Sequence, residues 1–90
     1  METKTVSINL YGRVQRVGFR YFVFRLAAEL GVKGFVKNMS DGSVYVEVES
    51  DPHTVDVFIT HCKMGPPHST VTNFTLNTIP FKDFKEFSIR

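Results

Sequence analysis

The chain contains a single cysteine, Cys62, so neither an intrachain disulfide nor a cysteine-built zinc site can form. Two common ways of stabilising a small domain are thereby excluded, and packing must carry the stability. No apolar run approaches the ~18 residues of a membrane-crossing helix. The opening METKTVSINL lacks the basic and apolar blocks of a secretory signal. A cytoplasmic protein without a membrane partner is expected. Acidic residues are missing between Glu2 and Glu29, the interval that holds Arg13, Arg16, Arg20 and Arg25. A net charge of +2 is too small to imply a polyanionic partner by itself, so the uneven placement of the cations is what needs explaining.

What is present suffices for a core. The composition, 42% hydrophobic with nine phenylalanines and 22% charged, is that of a packed globular protein. Ninety residues bury more than half of the surface exposed by the unfolded chain and leave no room for a second core. Residues 1–90 therefore read as one domain.

Val6, Ile8 and Leu10 alternate with Ser7, Asn9 and Tyr11, the period of a strand with one buried face, over residues 5–14. Phe22, Val23, Leu26, Ala27 and Leu30 recur at helical spacing from Tyr21, and Gly31 follows where a left-handed cap is wanted. Phe35–Asn38 is a short extended segment. Asp41-Gly42 is a hairpin signal, after which Val44, Val46 and Val48 alternate with Tyr45, Glu47 and Glu49. Asp51-Pro52 reads as a helix N-cap with proline at the first position, and Val55, Phe58, Ile59 and Cys62 mark one face of that helix. Gly65-Pro66-Pro67 ends it. The Val-, Thr- and Phe-rich stretch Ser69–Ile79 and the alternation of Phe87 and Ile89 give two further strands. The order βαββαβ with a tail strand is a split βαβ arrangement, two helices on one face of an antiparallel sheet.

Gly12-Arg13-Val14-Gln15-Arg16-Val17-Gly18-Phe19-Arg20 joins the first strand to the first helix, so its end lies where unpaired N–H groups and the positive end of the helix dipole collect. Cations are normally disfavoured there, yet three arginines occupy the segment. A local choice that opposes the rest of the chain often marks a functional site. An anion resolves the conflict: amides cradle it while an arginine forks onto two of its oxygens. Glycines at 12 and 18 permit positive φ and close backbone approach. Without Gly-Lys-Ser/Thr the loop is no Walker A motif. The competing local reading is a solvated basic loop.

Tyr11-Gly12-Arg13-Val14-Gln15-Arg16-Val17-Gly18-Phe19-Arg20 resembles the signature of the acylphosphatase family, usually Gly-x-Val-Gln-Gly-Val-x-Phe-Arg. Gly34-Phe35-Val36-Lys37-Asn38 followed by Asp41-Gly42-Ser43-Val44 resembles its second motif, and Gly65-Pro66-Pro67-His68-Ser69 its Gly-Pro-Pro segment. The resemblance covers essentially the whole chain. It implies an α+β, ferredoxin-like sandwich and hydrolysis of acyl phosphates to carboxylate and phosphate, without metal or organic cofactor. It also implies that Gln15, Arg16, Val17, Gly18, Phe19 and Arg20 form the phosphate-binding loop, that Arg20 clamps the phosphoryl oxygens, and that Asn38 orients the attacking water. The implied partners are a small acyl phosphate and phosphate or sulfate ions, with no nucleic acid, and a monomer is expected. One position departs from the pattern: Arg16 stands where the family has glycine.

The chemistry agrees with the residues at hand. An acyl phosphate departs as a carboxylate, whose conjugate acid has a pKa of about 4. No general acid is needed, and the chain offers no triad or carboxylate pair to supply one. His53, His61 and His68 lack metal-ligand spacing and read as surface or packing residues, Cys62 as a small core residue. Glu29 lies one turn from Arg25, the spacing of a weak surface ion pair. Two other function classes fit parts of the sequence. A noncatalytic anion-binding or regulatory domain of the same fold would follow if Arg16 weakens catalysis. An RNA-binding module shares the element order, but it needs aromatics on the third strand, where Tyr45 stands beside Glu47 and Glu49.

Overall fold

The computed structural model describes residues 2–90. Strand β1 (Lys4–Arg13) leads to helix α1 (Phe19–Leu30), strands β2 (Lys33–Asn38) and β3 (Val44–Ser50), helix α2 (Pro52–Met64) and strands β4 (Thr70–Thr78) and β5 (Phe87–Ile89). All five strands join in one sheet of order β4-β1-β3-β2-β5. The pairs Val6↔Val48, Ile8↔Val46 and Leu10↔Val44 put the alternating aliphatic residues of β1 and β3 on the same face. There they meet Phe19, Val23, Leu26 and Ala27 of α1 and Val55, Phe58, Ile59 and Cys62 of α2, all buried. Each Val, Leu, Ile and Phe among them contributes ~1.5–3 kcal/mol by leaving water. Burial also pushes the Cys62 thiol pKa upward, as suits a core residue.

Local signals place the helix ends. Gly31 adopts φ 70° and its N–H bonds the carbonyl of Ala27, closing α1. Asp51 accepts hydrogen bonds from the N–H (3.0 Å) and hydroxyl (2.7 Å) of Thr54, opening α2, and those bonds lower its pKa. Two elements begin two residues earlier than the periodicity predicts: α1 starts at Phe19 rather than Tyr21, and β2 at Lys33 rather than Phe35. Gly34 interrupts the apolar alternation, yet at φ 145° it lets β2 pass so close to the β3 carbonyl of Glu47 that a Cβ would collide with it.

Strands β1 to β4 pair antiparallel as expected, but β5 runs parallel to β2, with Val36 opposite Ile89. The sheet is mixed rather than wholly antiparallel. The reason is topological. β4 descends antiparallel to β1 and so ends at the end of the sheet where β2 begins. A crossing there delivers the chain alongside β2 in the same direction. The crossing runs over the face opposite the helices, where Phe84 packs edge-on to Phe35 at 6.0 Å.

Glu49 fastens this crossing. Its buried carboxylate accepts from the Thr5 hydroxyl (2.6 Å) and from the backbone N–H groups of Lys82 (2.7 Å), Asp83 (3.3 Å) and Phe84 (2.9 Å). Burial raises its pKa, but these donors outweigh burial and the net shift is downward from 4.5. A carboxyl group with a depressed folded-state pKa contributes stability that is complete above its unfolded value and disappears as pH falls through the folded one. Glu49→Gln is therefore expected to lower unfolding free energy by ~2 kcal/mol at neutral pH. Urea midpoints of the two proteins should converge as the pH drops below about 4.5. The same face bears Glu47, against which the Tyr45 hydroxyl bonds at 2.6 Å. It therefore presents no open aromatic platform of the kind RNA-recognition modules use.

Candidate active site

Residues 14–18 carry the chain from β1 into α1. Arg16 has φ 61° and Gly18 φ 77°, and Val17 between them does not. Alternation of this kind turns successive N–H groups toward a common centre. The N–H groups of Arg16, Val17 and Gly18 donate to no backbone carbonyl among the described residues. Gly18 is also the N-cap of α1 and brings no capping side chain, so the first-turn amides stay unpaired as well. No acidic residue sits in that first turn.

A cavity of about 250 Å³ opens against this loop, lined by Val14, Arg16, Gly18, Phe19, Arg20 and Tyr21, with Asn38 from the end of β2 and Ile89 from β5. Two arginines reach it and no carboxylate does. Among the described residues neither Arg16 nor Arg20 forms an ion pair, and the side-chain amide of Asn38 makes no hydrogen bond. Three polar side chains thus converge without a partner among the described residues. Among the described residues no three His, Cys, Asp or Glu side chains gather as a metal site requires.

Gln15 and Val17 do not line the cavity. Val17 packs against the core. The Gln15 side-chain amide donates to the carbonyls of Met39 (2.8 Å) and Ser43 (2.9 Å), which buckles the loop to the turn just beyond Asn38. That turn is itself held by Asp41, which accepts from the hydroxyl (2.6 Å) and N–H (2.9 Å) of Ser43, bonds that lower its pKa. Arg20 and Asn38 come from different elements, and Gln15 fixes the distance between them. From behind, Gly65 at φ 69° allows the Gly-Pro-Pro segment to touch the Phe19 ring, only 2.8 Å from where a Cβ would stand. Gly12 serves the sheet: β1 and β4 shift register between Tyr11 and Gly12, and a Cβ there would meet the β4 backbone. Arg13 ends β1, outside the cavity. The Arg25–Glu29 ion pair predicted by spacing is not made; Arg25 lies over the Tyr21 ring, 5.9 Å from its centre.

A loop of free amides, two unpaired arginines and an idle carboxamide can hold a tetrahedral oxyanion beside a water molecule. The family model that matches residues 6–89 is that of acylphosphatase. The chain belongs to the acylphosphatase family. An acylphosphatase of Thermotoga maritima is 41% identical over 87 residues, which cover 97% of each chain. One from Archaeoglobus fulgidus is 40% identical over 86 residues, covering 93% of this chain and 97% of the relative. The crystal structure of the Bacillus subtilis acylphosphatase superposes with a TM-score of 0.93 at 35% identity, covering 97% of this chain and 98% of that one. The same fold makes up 12% of full-length HypF in its phosphate- and nucleotide-bound form, at 36% identity and a TM-score of 0.92. As an acylphosphatase the chain is an enzyme that hydrolyses acyl phosphates, on a ferredoxin-like α+β fold.

The acylphosphatase signature thus falls on the cavity-forming loop. Its glycine is here Arg16, and φ 61° shows the backbone keeping the left-handed turn that glycine would favour, at a cost of ~1–2 kcal/mol. Sequence reasoning overlooked three lining residues. Val14 and Tyr21 belong to the motif-bearing segment and could have been found by asking which side chains flank it. Ile89 carries no such signal, because only the parallel pairing of β5 with β2 brings it to the site.

Proposed function

We propose that the cavity receives the phosphoryl group of the acyl phosphate, with the Arg20 guanidinium forked onto two of its oxygens and the N–H groups of the loop around a third. Asn38 holds a water molecule in line with the bond to be broken. The water oxygen bonds phosphorus, and the bond from phosphorus to the acyl oxygen breaks, its electron pair leaving with the carboxylate. Asn38 is too weak a base to take the proton, which passes from the water to a phosphoryl oxygen. Catalysis is then positioning and charge neutralisation, the two demands of phosphoryl transfer. The observation that carries this reading is the meeting of Arg20 and Asn38, both without a partner among the described residues, at a cavity that none of their carboxylates lines.

Arg16 adds a second guanidinium to the phosphoryl site, and we assign to it tight retention of phosphate or sulfate. Such binding holds product as firmly as transition state and does not by itself raise kcat. Arg16→Gly is expected to weaken inhibition of hydrolysis by inorganic phosphate about tenfold, and also to relieve backbone strain, seen as a higher Tm. An unchanged inhibition constant would remove Arg16 from the phosphate site. We further propose that residues 1–90 form a self-sufficient, monomeric domain acting in the cytoplasm, where the unpaired buried thiol of Cys62 is at home.

A further inference from the structure

A second cavity, at about 400 Å³ larger than the first, opens on the other side of Gly18 and Tyr21. Its wall is one face of α1, including Phe22, Arg25 and Leu26, and Pro66 closes it from beyond α2. Gly18 and Tyr21 line both spaces, whereas Asn38 lines only the first. In an in-line displacement the nucleophile and the leaving group stand on opposite sides of phosphorus. A water at Asn38 therefore sends the acyl group away from Asn38, toward the rim that the two cavities share. We infer that the second cavity is the acyl-group subsite, and that it favours acyl chains with an apolar body ending in a carboxylate. This rests on the phosphoryl reading of the first cavity.

Phe22, Leu26 and Pro66 supply the apolar wall. Arg25 supplies the charge. Side chains on a helix lean toward its N-terminus, so the Arg25 guanidinium points back along α1 to the shared rim, over the 61%-exposed ring of Tyr21. It forms no ion pair with a described residue. Glu29 lines the same cavity one turn further on, and His61 faces it from α2. A carboxylate on a short chain stops at Arg25, while a longer chain would carry it against Glu29. The preferred chain is thereby bounded at both ends.

Glutaryl phosphate and pentanoyl phosphate share a chain length and differ in the distal carboxylate. The ratio of their kcat/KM values is expected to be about fivefold in favour of glutaryl phosphate at low salt, as a solvent-exposed ion pair allows, and to shrink as salt is added. It should fall to about one in Arg25→Gln and below one in Arg25→Glu, and rise in Glu29→Gln. Because each ratio is internal to one preparation, partial unfolding of a variant cannot imitate the effect. A wild-type ratio of one or less, or a ratio that Arg25→Glu leaves unchanged, overturns the inference. Acetyl phosphate, too short to reach Arg25, separates two failures. If wild type hydrolyses it but shows no preference between the longer pair, the acyl subsite alone is wrong. If none of the three is hydrolysed, the phosphoryl reading fails and the subsite with it.

Discussion

Arg20→Ala is expected to lower kcat/KM for acetyl phosphate by ~10³-fold or more, the scale seen when a phosphoryl-clamping arginine is removed. Arg20 lies in the first turn of α1 with no described carboxylate to neutralise it, so its whole charge is available to the ligand. Charge on the equatorial oxygens is what the transition state shares out among its donors. The loop amides cannot replace a guanidinium, because each offers a single donor in a fixed direction whereas arginine presents two in parallel. Arg20→Lys should recover only part of the loss, since an ammonium keeps the charge and gives up the fork. Steady-state assays with acetyl phosphate read all three proteins directly, and wild-type rates in Arg20→Ala would mean that another residue clamps the phosphoryl group.

Asn38→Ala is expected to reduce kcat by ~10²-fold while leaving KM within about a factor of two, because Asn38 holds the nucleophile rather than the phosphoryl group. The side chain sits half-buried at the end of β2 and bonds no group among the described residues, so its truncation removes no hydrogen bond of the fold. Asn38→Asp keeps the shape and adds a negative charge beside a developing oxyanion; it should be slower than wild type despite being the stronger base. A faster Asn38→Asp enzyme would point to general-base catalysis and against proton transfer to the substrate. A circular-dichroism spectrum and an unfolding midpoint matching wild type separate these outcomes from a simple loss of folded protein, which would also lower apparent kcat at unchanged KM.

Much of this was legible in the sequence, for reasons that can be named. The strands β1 and β3 announce themselves because each buries one face deeply, and alternation is the direct record of that. Gly31 and Asp51 mark helix ends because the backbone geometry there restricts which residues fit. The loop was conspicuous because its arginines contradict the helix dipole, a conflict that an anionic ligand resolves. What escaped detection is non-local. Phe87 and Ile89 betray β5 as a strand, but its parallel partner is dictated by where β4 finishes, at the end of the sheet from which β2 sets out. The two bonds of Gln15 go to carbonyls, which every residue possesses, so no residue type betrays them. Arg25 and Glu29 have the right spacing for a pair, yet the Tyr21 ring is nearer to where the guanidinium naturally lies. Spacing gives reach without deciding between neighbours.

The central claim is that water held by Asn38 attacks phosphorus while Arg20 and the loop hold the phosphoryl oxygens. Hydrolysis of acetyl phosphate by the enzyme in ¹⁸O-labelled water tests it most directly. Attack at phosphorus places the label in inorganic phosphate and leaves acetate unlabelled, which is the result this site predicts. Label found in acetate would mean attack at the carbonyl carbon, and the assignment of the cavity to the phosphoryl group would be wrong.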